Sequence, residues 1–145
     1  MYLVRLSPAQ AGKDGGQRPP WDVLAWTDSR GASFVDDLRN APPKDRDAMG
    51  MLAILETDVP LNGPNRANKN KCRPLGHKIF EFKRGQQRVL WFYDDGKCII
   101  CTHRFAKKSQ KTPPQEIDLA IERRKQYLQA KAEGLIVTMQ GRDDE

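Results

Sequence analysis

His103 stands near the end of the apolar run KCIICTHRF, and Lys107 and Lys108 follow it in a basic turn that leads into KTPPQEIDLAIERR. An imidazole titrates near neutrality and can carry a proton in either direction. Lysines on a turn beside it are suited to contact phosphate, and a lysine crowded by other cations can lose its proton and serve as a base. In the strand-like run KIFEFKR, alternation puts Ile79, Glu81 and Lys83 on one face and Phe80 and Phe82 on the other. In QRVLWFYD, Arg88, Leu90 and Phe92 share one face, and Val89, Trp91 and Tyr93 share the other. Lys83 and Arg88 thus fall on a mixed face beside the basic turn, with an apolar face behind it. A cationic set of this kind suits phosphodiester transfer without a metal, where arginine and lysine stabilise charge developing on phosphate oxygens. RNA brings its own nucleophile, the 2′-hydroxyl, so alignment, charge stabilisation and proton transfer would suffice.

Other chemistries find no support in the motifs. The chain contains no GxSxG, no P-loop, no HExxH and no carboxylate pair suggestive of a glycosidase. Of the three cysteines, Cys98 and Cys101 form a C-x-x-C, but residues three apart on a strand point to opposite faces. With Cys72 they read as buried core thiols, so no metal and no cofactor is expected. His77, ahead of the first meander strand, is a weaker candidate than His103. Trp21, Trp26 and Trp91 read as core residues rather than base-stacking platforms.

Charge points the same way. The formal net charge is +6, and between Asn62 and Lys125 there are 16 Lys and Arg against 6 Asp and Glu. The remainder of the chain is net negative, so the positive charge is concentrated in the second half, as a polyanion-facing surface requires. The loop VPLNGPNRANKNKCRPLGH carries Arg66, Lys69, Lys71 and Arg73. Lys69, Lys71 and Arg73, with Lys78, Arg84, Arg104 and Lys111, are the expected RNA contacts. No apolar run approaches the roughly 18 residues of a membrane span, and no charged segment precedes the short apolar N-terminus. A cytoplasmic protein with no membrane partner is expected.

The elements that must hold these residues follow from periodicity. Residues 1–20 read as a flexible lead-in, 21–133 as one domain, and 134–145 as a tail or short extra strand. WDVLAWTD is the first expected strand. Ser33 is a plausible N-cap for a helix with Asp36 and Asp37 in its first turns, and a second helix spans Lys44 to Thr57. Three strands joined by tight turns follow, the second turn carrying an Asp-Gly hairpin signal. A last helix starts near Pro114 and stops at Gly134. The expected fold is α+β, in the order β-α-α-β-β-β-α, with a twisted, mostly antiparallel sheet, an N-terminal helical hairpin and a C-terminal helix.

The segment GHKIFEFKRGQQRVLWFYDDGKCIICTHRFAKKSQKTPPQEIDLAIERRKQY resembles the RelE/HigB toxins of bacterial toxin–antitoxin pairs, especially their phage-associated branch. The matching motifs run from Leu75 to Lys83, Arg88 to Trp91, His103 to Lys108, and Lys111 to Ile117. The resemblance implies a small RelE-like domain acting as a ribosome-dependent mRNA endoribonuclease by 2′-hydroxyl attack. It implies ribosome and mRNA as partners, and a cognate antitoxin of helix-turn-helix type. Under it, Arg88 contacts the scissile phosphate, Lys108 stabilises the transition state, and His103 or Lys107 moves a proton. Two departures stand out: Lys83 replaces the usual arginine, and Pro114 falls near the place where some members carry a tyrosine. A ParE-like gyrase inhibitor and a non-catalytic nucleic-acid-binding relative are the alternatives.

Overall fold

The computed structural model describes residues 1–8, 18–108 and 111–141. Its seven strands are β1 (Tyr2–Arg5), β2 (Asp22–Trp26), β3 (Cys72–Gly76), β4 (Ile79–Arg84), β5 (Gln87–Asp94), β6 (Cys98–Ala106) and β7 (Val137–Gln140). They form one sheet in the order β3-β4-β5-β6-β2-β1-β7. β2 runs parallel to β6 and β1 parallel to β7, while the other neighbours are antiparallel. This is an α+β fold on a mixed, mostly antiparallel sheet.

The meander β4-β5-β6 has the strands and turns that the sequence predicts. Its first turn passes through Gly85 at φ 55°, a left-handed backbone that favours glycine. A Cβ there would lie 1.9 Å from the Asp47 carboxylate, so the turn also fits against the helical layer.

Helices cover both faces. On one, α1 (Phe34–Arg39), α2 (Arg46–Ala53), a π turn (Ile54–Asp58) and α3 (Val59–Asn62) pack over Val23, Ala25, Phe82, Val89, Trp91, Ile99 and Cys101. Ser33 caps α1 in a capping box with Asp36, and the Asp45 side chain accepts from the Ala48 amide at the start of α2. On the other face, α4 (Pro114–Ala132) lays Ala120 and Tyr127 over Leu3, Leu24, Ile79, Leu90, Phe92 and Ile100. Both Tyr127 Oη and Lys131 Nζ donate to the Asp94 carboxylate, fixing the far end of α4 to the end of β5.

Two strands, β1 and β3, depart from the sequence reading, and β7 is the short extra strand that stood as the alternative to a tail. β1 lies within the expected lead-in, β3 within the expected 62–73 loop and its sequel, and β7 within the expected tail. The observed order therefore has an additional strand ahead of WDVLAWTD, one before the meander and one after α4. The remaining lead-in and tail residues, 9–17 and 142–145, lie outside the described residues, as do 109 and 110 of the basic turn. The helix expected at Lys44 to Thr57 starts at Arg46 and continues through the π turn to Asn62. The mixed sheet face is also less open than alternation alone suggests, because α4 covers Ile79, Leu90 and Phe92. Glu81, Lys83 and Arg88 lie outside the apolar cluster that packs under α4.

Candidate functional site

Strand register assembles the site. Lys83 lies opposite Arg88, Glu81 opposite Leu90 on β5 and opposite Arg73 on β3, and Arg88 opposite Phe105 on β6. Directly opposed residues share a face, so Arg73, Glu81, Lys83 and Arg88 project together.

Glu81 is the hub. It is fully buried, and its Oε1 accepts from Arg73 Nε at 3.0 Å and stands 3.8 Å from Arg88 Nε. Its Oε2 accepts from Thr112 Oγ1 at 2.6 Å, and that hydroxyl oxygen in turn accepts from Arg73 Nη2 at 3.3 Å. Thr112 comes just before α4, so one carboxylate ties β3 and β5 to the segment leading into that helix. Arg88 is 6% exposed, and its Nη1 donates to the carbonyls of Gly85 at 2.6 Å and Gln87 at 2.9 Å. Its Nε has no hydrogen-bond partner among the described residues. Burial lowers the Arg88 pKa, and the Glu81 charge opposes that shift.

Lys107 enters this cluster from the end of β6, where its amide donates to the Gln86 carbonyl at 2.7 Å. Burial lowers its ammonium pKa, followed by repulsion from Arg88 and Arg73, with Glu81 pulling the other way. Lys83 adds to the repulsion. A single buried carboxylate thus faces two guanidiniums and two nearby ammonium groups. Lys108 is exposed on the same turn.

His103 shares the sheet face but sits deeper. It is 9% exposed, its Nδ1 lies 2.9 Å from Thr102 Oγ1, and its Nε2 is 3.3 Å from Glu116 Oε1 without hydrogen-bond geometry. Burial, then the Arg123 charge, pushes its pKa down to about 4. The imidazole is therefore neutral near pH 7, and it lines a cavity with Trp26, Phe34, Asp37, Thr102 and Arg123.

The other expected RNA contacts spread further. Arg104 is on the opposite sheet face, donating from Nε to Gln87 Oε1 at 3.0 Å with Nη1 3.8 Å from the Asp37 carboxylate on α1. Arg84 turns toward α2, 3.9 Å from Asp47. Lys69, Lys71, Lys78 and Lys111 are exposed, and Lys78 has a positive φ in the β3–β4 turn. Arg66 lies over the Phe80 ring at 4.6 Å, on the helical-layer side. Cys98 and Cys101 face opposite layers as free thiols, and burial pushes the Cys98 pKa up to about 12. No cluster of potential metal ligands occurs among the described residues.

Sequence reasoning did not assign roles to Glu81 and Thr112. The available signal was an acid alone among the apolar residues of IFEF, on the face that alternation gives to Arg88.

Among solved structures, the chain is similar to the crystal structure of the toxin–antitoxin complex RelBE2 from Mycobacterium tuberculosis. The match is at 22% identity and TM-score 0.40, over 61% of this chain and 99% of the other. A search of curated proteins gave no match. A family model described as phage derived protein Gp49-like matches residues 36–125, from α1 through most of α4 and including the whole charged cluster. The chain belongs to this Gp49-like family of phage-derived proteins.

Proposed function

We propose that the chain is the toxin of a toxin–antitoxin pair and cleaves mRNA on the ribosome, using the RNA's own 2′-hydroxyl. The observation that carries this reading is the imbalance of charge around Glu81. One buried carboxylate cannot neutralise Arg73, Arg88, Lys83 and Lys107, so the cluster is set to receive an anion. A phosphodiester has the matching charge and geometry, and the sequence motifs shared with RelE/HigB toxins fall on this cluster.

In the proposed reaction the 2′-oxygen attacks phosphorus, the bond to the 5′-oxygen breaks, and the departing 5′-oxygen takes a proton from water. The products are a 2′,3′-cyclic phosphate and a 5′-hydroxyl end. Arg88, almost wholly buried and held by two backbone carbonyls, is a fixed positive charge behind the phosphate oxygens on which negative charge grows. Lys107 stands beside the cluster with its ammonium pKa lowered by burial and then by Arg88 and Arg73, and it is the group assigned to take the proton of the 2′-hydroxyl. Lys83 and the exposed Lys108 add charge at the flanks. The antitoxin would suppress this activity by covering the cationic face.

Inducing the protein in bacteria and mapping message ends tests the reading. Wild type should arrest growth and create new 5′-hydroxyl ends within translated messages. Gyrase-dependent DNA breaks with intact messages would instead indicate a ParE-like toxin.

A further inference from the structure

Lys83 occupies a place where a bidentate arginine contact is absent, yet the structure brings a second guanidinium to the same face from β3. We propose that Arg73 is a phosphate-binding residue of the site, and that Glu81 and Thr112 position it. This inference rests on the ribonuclease reading for its catalytic consequence, but not for the phosphate contact itself.

Three observations support the assignment. Arg73 lies opposite Glu81 in the β3–β4 register, so it projects on the face of Arg88 and Lys83. Its Nε is fixed by Glu81 at 3.0 Å and its Nη2 by Thr112 at 3.3 Å, which removes rotamer freedom from a long side chain. About a third of its side chain nonetheless remains exposed, at 32%, whereas Arg88 is at 7%. The two arginines therefore have different roles. Arg88 is a buried fixed charge, and Arg73 is the guanidinium with an edge open to solvent. A planar fork held from one side suits a phosphate oxygen pair better than the point charge of Lys83.

The distance between charge partners also explains why Arg73 is not a simple structural counter-ion. Glu81 stands near both arginines and accepts from Thr112, so its single negative charge is shared between two cations. If Arg73 served only to neutralise Glu81, Arg88 at 3.8 Å could do so alone, and the second guanidinium would be surplus. An anionic ligand resolves that surplus.

The test compares wild type, Arg73→Lys, Arg73→Met and the double variant Arg73→Met with Lys83→Arg. Two quantities are read: cleavage of a defined ribosome-bound message, and the salt dependence of binding to an all-2′-O-methyl RNA oligonucleotide that cannot be cut. Arg73→Met should slow cleavage by about 10²-fold. It should also flatten the slope of log affinity against log salt by about 0.7, the value for one lost contact to a single strand. Arg73→Lys keeps the ion pair with Glu81, so it should fold like wild type, keep most of the slope and still cleave more slowly. Restoring a guanidinium with Lys83→Arg should recover part of the cleavage lost in Arg73→Met.

If Arg73→Lys and Arg73→Met both cut and bind with wild-type rate and slope, the assignment is wrong while the ribonuclease reading stands. If wild type cuts no message but the slope still falls in Arg73→Met, the ribonuclease reading fails and the phosphate contact survives. Should Arg73→Met fail to fold, Arg73→Lys decides: wild-type cleavage by that variant overturns the proposal.

Discussion

At the scale of single residues, Glu81 and His103 differ in how their burial is compensated. Glu81 is fully buried with Arg73, Arg88 and Thr112 around its two oxygens, so its charge is kept in place by partners on three segments. Removing that charge leaves two guanidiniums close together without a counter-ion. Glu81→Gln should therefore destabilise the fold by about 3–5 kcal/mol in equilibrium denaturation, as when one partner of a buried ion pair is lost. His103 is buried with no charge partner in hydrogen-bonding geometry, and its pKa falls from 6.5 to about 4. Between those values the unfolded chain binds a proton that the folded chain does not, so stability falls as pH drops from about 6.5 toward 4. At its full extent the loss is on the order of 3 kcal/mol. Melting wild type and His103→Gln at neutral pH and at the acid end of that window checks this. The variant should lose less stability than wild type on acidification.

At the scale of elements, the meander was legible and the edges of the sheet were not. β4, β5 and β6 announce themselves through alternation and tight turns, and the same alternation placed Lys83 with Arg88. β3 was hidden because CRPLG contains Pro74 and a run of polar loop residues precedes it, so propensity argues against a strand there. Pairing with β4 overrides that preference, and it brings Arg73 to the site. β1 and β7 are four residues each, too short for periodicity to speak; β1 gains its place by pairing with β2, and β7 by pairing with β1. Thr112 was legible only as part of a helix start, since nothing in sequence shows that its hydroxyl meets a glutamate 31 residues earlier. The end of α4 nearest the site is set by close packing of Ala120, which has no exposed surface between the helix and the sheet. Ala120→Leu should overpack that seam and lower stability by about 1–3 kcal/mol in thermal or denaturant unfolding.

At the scale of the whole molecule, two helical layers close most of the sheet and leave the charged end of one face as the place where β3, β4, β5 and the turn after β6 converge. No helix among the described residues is long and apolar enough to cross a membrane. The segregation of positive charge into the second half of the chain follows from this convergence, because every cation of the cluster comes from β3 or later. The central claim is that this cluster holds and breaks a phosphodiester, and mapping 5′-hydroxyl ends on ribosome-bound messages tests it most directly. Wild type is expected to give new ends soon after induction, and Arg88→Met to reduce them by about 10²–10³-fold while remaining folded enough to purify. Equal cutting by a folded Arg88→Met protein, or no new ends with wild type, would contradict the account.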